Sequence, residues 1–128
     1  MSSAVFDSSA VLAYVFKETG WNLVEGYLSD CDGVISAVNA AEVFAKAVER
    51  VQPQTAQNLI ADLGIEIVPF CSDQAWLAAG LRRSTREFGL SLGDRACLAL
   101  AQLRGVSVLT SDKAWTKIQV ATTIVCIR

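Results

Sequence analysis

Short, wholly apolar runs alternate along this chain with longer segments of mixed character. Ala4-Val5-Phe6, Gly33-Val34-Ile35-Ser36, Ile65-Glu66-Ile67-Val68, Val106 to Leu109 and Thr123 to Ile127 read as five strands. Helical patterns fill the intervals. One runs from after Asp7-Ser8-Ser9 through Phe16 and is broken by Thr19-Gly20; the next covers Trp21 to Leu28. Ser36 is placed to cap a helix from Ala37 to Val51, and Pro53 suits the first turn of another that ends at Leu63 before Gly64. A helix is expected from Ser72 to Glu87, a further one from Gly93 to Leu103 before Gly105, and a short helical piece from Asp112 to Lys117. Strands that are apolar on both faces belong to a parallel sheet covered by helices on both sides. The pattern therefore predicts one α/β domain, residues 1–128, with about five strands.

The same pattern has polar exceptions. In LSLGDRACLALA, Asp94, Cys97, Leu98 and Ala101 share one helical face, while Arg95 and Gln102 lie elsewhere. A carboxylate therefore points toward the interior, where an unpaired charge is costly. Asp7 falls at the carboxyl end of the first strand and Asp112 just past the fourth. In an open parallel sheet these are the positions that face a ligand crevice. In SAVNAAEVFAK, Val38, Ala41, Ala45 and Val48 are expected to form the apolar face, Asn39, Lys46 and Arg50 the wet face, and Glu42 the border. Each acid also has an ordinary explanation. Aspartates cap helices, as Asp112 does well in TSDKAW, and Glu42 can pair with Lys46 one turn on.

Composition narrows the chemistry. There is no histidine, which excludes a Ser-His-Asp triad, an HExxH zinc site and any imidazole base. The four cysteines, Cys31, Cys71, Cys97 and Cys126, are widely spaced and read as free thiols rather than as disulfides or a zinc ribbon. A net charge of −2 argues against binding nucleic acid by bulk charge. The longest uncharged runs, such as Ile118 to Ile127, are too short to span a bilayer, and the N-terminus lacks the basic start of a secretory signal. A cytoplasmic protein is expected. Clustered carboxylates with no imidazole or thiol beside them suit Mg²⁺ or Mn²⁺, which relieves their repulsion and supports phosphodiester hydrolysis.

Four motifs in order, VFDSSAVLAY, SAVNAAEVFAK, LSLGDRACLALA and VLTSDKAW, make the chain resemble the PIN-domain family, and within it the small VapC-type toxins of toxin–antitoxin pairs. The resemblance implies a three-layer αβα sandwich with a five-stranded parallel sheet. It implies a metal-dependent endoribonuclease in which Asp7, Glu42, Asp94 and Asp112 gather around Mg²⁺ or Mn²⁺, with Ser9 and Thr110 beside them to orient ligands or water. Some relatives carry a further acid after the fourth motif; Lys113, Trp115 and Thr116 stand there in this chain, which leaves one ion or two open. The resemblance also implies a homodimer, an antitoxin protein as partner and an RNA substrate, of which tRNA is a frequent example. Tyr14, Phe16, Trp21 and Tyr27 are available either to an antitoxin groove or to the core.

Lys46, Arg82, Arg83, Arg86 and Arg95 are the cations placed to meet RNA phosphates, the three middle arginines on one side of their helix. No alternation of aromatic and basic residues marks a base-stacking platform. A non-catalytic PIN-like scaffold for RNA or protein is the alternative function; it is not expected to keep all four acids. A phosphotransfer receiver needs an aspartate after the third strand, where this chain has Pro69-Phe70, and a dehalogenase-type phosphatase needs Asp-x-Asp where it has Asp7-Ser8-Ser9.

Overall fold

The computed structural model describes residues 2–128. Five strands, β1 (Ser3–Phe6), β2 (Asp32–Ser36), β3 (Glu66–Val68), β4 (Ser107–Thr110) and β5 (Ile124–Cys126), pair in parallel in the order β3-β2-β1-β4-β5. Helices α1 (Ser8–Val15), α2 (Trp21–Asp30), α3 (Ala37–Ala47), α4 (Pro53–Ala61), α5 (Ser72–Gly80), α6 (Arg82–Thr85) and α7 (Leu92–Arg104) connect them. The chain builds outward from β1 to β2 and β3, then crosses back to place β4 on the other side of β1. The direction of winding therefore reverses between β1 and β4, and a crevice opens beyond the carboxyl ends of those two strands.

Residues alternate across the sheet with period two. Ala4, Phe6, Ile35 and Leu109 enter one apolar cluster with Ala10 and Val11 of α1, Val24 of α2 and Val43 of α3. Val5, Val34 and Val108 enter a second cluster with Cys97, Leu98 and Ala101 of α7 and the fully buried Trp115. Both faces are thus covered, and the expected three-layer αβα sandwich is found. Among the described residues no helix is long and apolar enough to cross a membrane.

Three details differ from the sequence expectation. The helix expected from Ser72 to Glu87 breaks after Gly80, leaving the single turn α6 and a 3₁₀ turn over Arg86–Phe88. Glycine is a poor helix former, and Ser84 Oγ and Thr85 Oγ1 both donate to Leu81 O, competing with the helical ladder. Arg82, Arg83 and Arg86 therefore do not share one side of one helix. Helix α3 ends at Ala47 rather than Val51: i→i+3 turn bonds from Glu49 N to Lys46 O and from Arg50 N to Ala47 O follow it, and Gln52, preceding Pro53, is extended. The face of α3 is also turned: Asn39, Ala40, Val43 and Ala47 are buried, while Ala41, Ala45 and Val48 are exposed. Alanine and valine are spread around this helix, so hydrophobicity alone does not choose its inner side.

Candidate active site

Asp7 is the first residue beyond β1. Its backbone N–H still pairs with Leu109 O of β4 at 2.9 Å, while its own carbonyl accepts from Ala10 N and Val11 N at the start of α1. It holds the N-cap position, yet its side chain makes no capping hydrogen bond. The carboxylate turns instead toward β4. Ser9 Oγ donates to Asp7 Oδ2 at 2.6 Å and Thr110 Oγ1 donates to the same oxygen at 2.9 Å. The two hydroxyls also receive the backbone of the next loop, from Ser111 N at 2.9 Å and Asp112 N at 3.1 Å. Ser9 and Thr110 thus hold Asp7 and the β4 loop as one unit. Asp7 Oδ1 is buried with no partner. Burial pushes the Asp7 carboxyl from 3.8 up to about 6, against the pull of the Ser9 and Thr110 hydrogen bonds.

Asp94 is reached from α7. Ser91 caps that helix through Asp94 N–H at 3.2 Å, and Asp94 Oδ2 accepts from Ser91 N at 2.9 Å, a reciprocal capping box. Asp94 therefore serves the helix start as well as the crevice. Half-buried, its carboxyl is raised first by desolvation and then by the charges of Glu42 and Asp112. Behind it, the Cys97 thiol is raised well above its usual range by full burial, with the charges of Asp7, Asp94 and Glu42 adding to the effect. The carboxylates from three different elements thus act on one buried sulfur.

Glu42 does not pair with Lys46: among the described residues the ion pairs are Arg50 with Glu18 and Arg104 with Glu66. Its partner is Asn39, whose Nδ2 donates to Glu42 Oε1 at 2.9 Å and to Gly93 O of α7 at 2.9 Å. The sequence pattern puts Asn39 on the wet face; the structure buries it fully. Its signal in the sequence is an amide one helical turn before an acid, in a helix that otherwise offers little polarity. Asp112 is exposed, and its Oδ1 caps the following 3₁₀ turn through Ala114 N at 2.9 Å.

Asp94 links the acids electrostatically: its charge acts on Asp7, those of Glu42 and Asp112 act on it, and Asp112 is the exposed member. Among the described residues no three acids or thiols form a ready-made cation cage. The donors nonetheless suit a hard divalent ion: they are all oxygens, and one oxygen of the most buried acid has no partner. Beside the site, a groove of about 410 Å³ runs between α1 and α3, with Ser9, Phe16 and Ser111 in its lining and both signs of charge, Lys46 and Arg50 with Glu18 and Glu49. A wider cleft of about 640 Å³ lies at the amino end of the sheet, among Ser3, Gln102 and Ser107, with no charged residue in its lining.

The basic residues are less uniform than expected. Lys46, Arg82, Arg83 and Arg86 are exposed. Arg95 is half-buried and donates from Nη1 to Ala78 O at 3.1 Å, tying α7 to α5. Tyr14 and Tyr27 pack against the core, Lys17 covers the rings of Tyr14 and Trp21 at 4.0 and 4.4 Å, and Arg50 lies 4.2 Å over Phe16.

Solved structures share this architecture. A DNA-bound VapBC from Salmonella typhimurium is 15% identical with a TM-score of 0.76, covering 100% of both chains. A toxin–antitoxin complex from Klebsiella pneumoniae is 25% identical with a TM-score of 0.73, covering 98% of each chain. VapC20 of Mycobacterium tuberculosis, described as a sarcin-ricin loop cleaving toxin, is 12% identical with a TM-score of 0.71, covering 91% of this chain and 96% of that one. No curated protein matches the chain in sequence. The PIN domain model matches residues 4–121, from β1 through β4 with all four acids between, and the chain belongs to the PIN domain family.

Proposed function

We propose that this chain is a Mg²⁺- or Mn²⁺-dependent endoribonuclease, the toxin of a toxin–antitoxin pair, with Asp7, Glu42, Asp94 and Asp112 as the acids that hold the cation. The observation that carries this reading is Asp7. A carboxylate only 3% exposed, with one oxygen fixed by two hydroxyls and the other without any partner, is destabilised as an anion until a cation arrives. A divalent ion bound there supplies a Lewis acid that polarises a phosphate oxygen and makes water more acidic. Ser9 and Thr110 both hold Oδ2, which keeps Asp7 in one rotamer and leaves Oδ1 free for an ion. The capping box spends one oxygen of Asp94 on the helix start and leaves the carboxylate at the mouth of the crevice.

Lys46 in the adjoining groove, and Arg82, Arg83, Arg86 and Arg95 beyond it, are assigned to the RNA backbone. The likeness to toxin–antitoxin complexes supports an antitoxin protein as partner, and a homodimer working in the cytoplasm belongs to the same proposal. Structured RNA, tRNA among it, is the assigned substrate class. The test is incubation of the purified protein with total tRNA and ribosomal RNA, with Mn²⁺ or with EDTA, beside Asp94→Asn. Cleavage is expected only with Mn²⁺ and the native acid. Cleavage that survives both EDTA and the substitution overturns the metal mechanism, and RNA binding without cleavage under any condition favours a non-catalytic scaffold.

A further inference from the structure

Asn39 is fully buried near the start of α3, and its Nδ2 serves two acceptors at once, Glu42 Oε1 and Gly93 O. Both partners only accept, so the nitrogen must face them, and Oδ1 is left buried without a partner. An amide held this way joins one acid of α3 to the first turn of α7, next to Asp94. Gly93 supplies the other half of the arrangement. It lies inside α7 and is not among the glycines with positive φ, so the backbone does not require glycine there. The requirement is spatial: a Cβ on Gly93 would stand 2.6 Å from Glu42 Oε2 and 2.8 Å from Oε1. The volume that a side chain would take is the volume in which the Glu42 carboxylate rests.

We propose that Asn39 and Gly93 form a seat for Glu42, and that both are positioning residues for the acidic site: the amide grips the carboxylate and the missing side chain leaves it room against α7. The role rests on the nuclease reading above. It explains why the first turns of α3 and α7 keep a buried amide and a glycine, neither of which is a strong helix former. It also fixes the spacing between Glu42 and Asp94, which belong to different elements and otherwise have no direct link.

The test uses the full chain with Gly93→Ala and Asn39→Leu, read by Mn²⁺ titration in a calorimeter and by thermal melting in EDTA. Gly93→Ala should melt at or above the wild-type temperature, because alanine favours the helix and only the flexible end of Glu42 has to move. It should nevertheless bind Mn²⁺ roughly 10–100-fold more weakly, the loss that follows when a ligand's support is removed. Asn39→Leu should show the same weakening together with a lower melting temperature. Gly93→Ala that binds Mn²⁺ like the wild type, or that fails to fold, overturns the seat. If Asn39→Leu folds but keeps wild-type affinity, Asn39 is merely structural. If Asn39→Leu does not fold, Gly93→Ala alone decides. Wild-type protein that binds no Mn²⁺ overturns the nuclease reading and this role with it, which separates the two failures.

Discussion

The carboxylates of this site are held in two different ways. In the β1–β4 crevice, Asp7 is buried and gripped by two hydroxyls that also carry the loop beyond β4. On the α3–α7 seam, Asp94 and Glu42 are partly exposed, and each is held by one neighbour, Ser91 or Asn39. The crevice therefore fixes a charge at high cost to the empty protein, while the seam holds its charges at lower cost because they are less deeply buried. Among the described residues the acids form no closed cage.

The sharpest way to break that contrast is at Asp7. The rise of its carboxyl from 3.8 to about 6 corresponds to about 3 kcal/mol of lost stability once the group is ionised, at ~1.36 kcal/mol per pH unit. The folded state holds this proton more tightly than the unfolded state, so the loss develops as pH rises from about 4 through about 6 and is complete above that. In EDTA, denaturant unfolding of the wild type across this window should show the decline, and Asp7→Asn should keep only the smaller part that the raised carboxyl of Asp94 contributes. Cleavage by Asp7→Asn should also fall below detection. An identical pH dependence in the two proteins would mean that Asp7 is not the buried acid responsible.

A smaller effect is expected from the grip itself. Thr110→Val keeps the shape of a fully buried side chain but removes a donor to Asp7 and an acceptor for Asp112 N–H. Stability at pH 7 should drop by about 1–3 kcal/mol, and the pH window assigned to Asp7 should move upward, since a hydrogen bond favouring the anion is gone. A drop in stability with no movement of that window would reduce Thr110 to packing.

The smallest effect sharpens the seam. Asp94→Asn keeps an oxygen to accept from Ser91 N–H while removing the charge that Glu42 and Asp112 oppose. Its melting temperature in EDTA at pH 7 should rise modestly, whereas Asp94→Ala, which forfeits the capping box, should lose about 1 kcal/mol. A fall in both variants would show that the ionised carboxylate is needed by the fold rather than tolerated for the ion.

Much of this is legible in the sequence. The strands are short, apolar on both faces and separated by helical segments, and that alone requires a covered parallel sheet. Asp7 and Asp112 follow strands directly, so their arrival at one edge is a consequence of parallel pairing, and Asp94 stands out as a charge on an apolar helical stripe. The break after Gly80 and the inner face of α3 are not legible. The first depends on hydroxyls reaching back to Leu81 O, the second on a helix whose small residues point in every direction.

The sequence by itself determined the layers, the order of the acids and the absence of imidazole chemistry, because period-two and period-3.6 patterns and residue types are local properties of the chain. The caps at Asp94 and Asp112 are local too, whereas only the tertiary structure decided how Asp7 and Glu42 are held. Asn39 lies three residues before Glu42 but 54 before Gly93, and Ser9 reaches Thr110 across 101 residues. Which polar atom is satisfied, and which is left waiting as Asp7 Oδ1 is, depends on neighbours that local pattern does not carry.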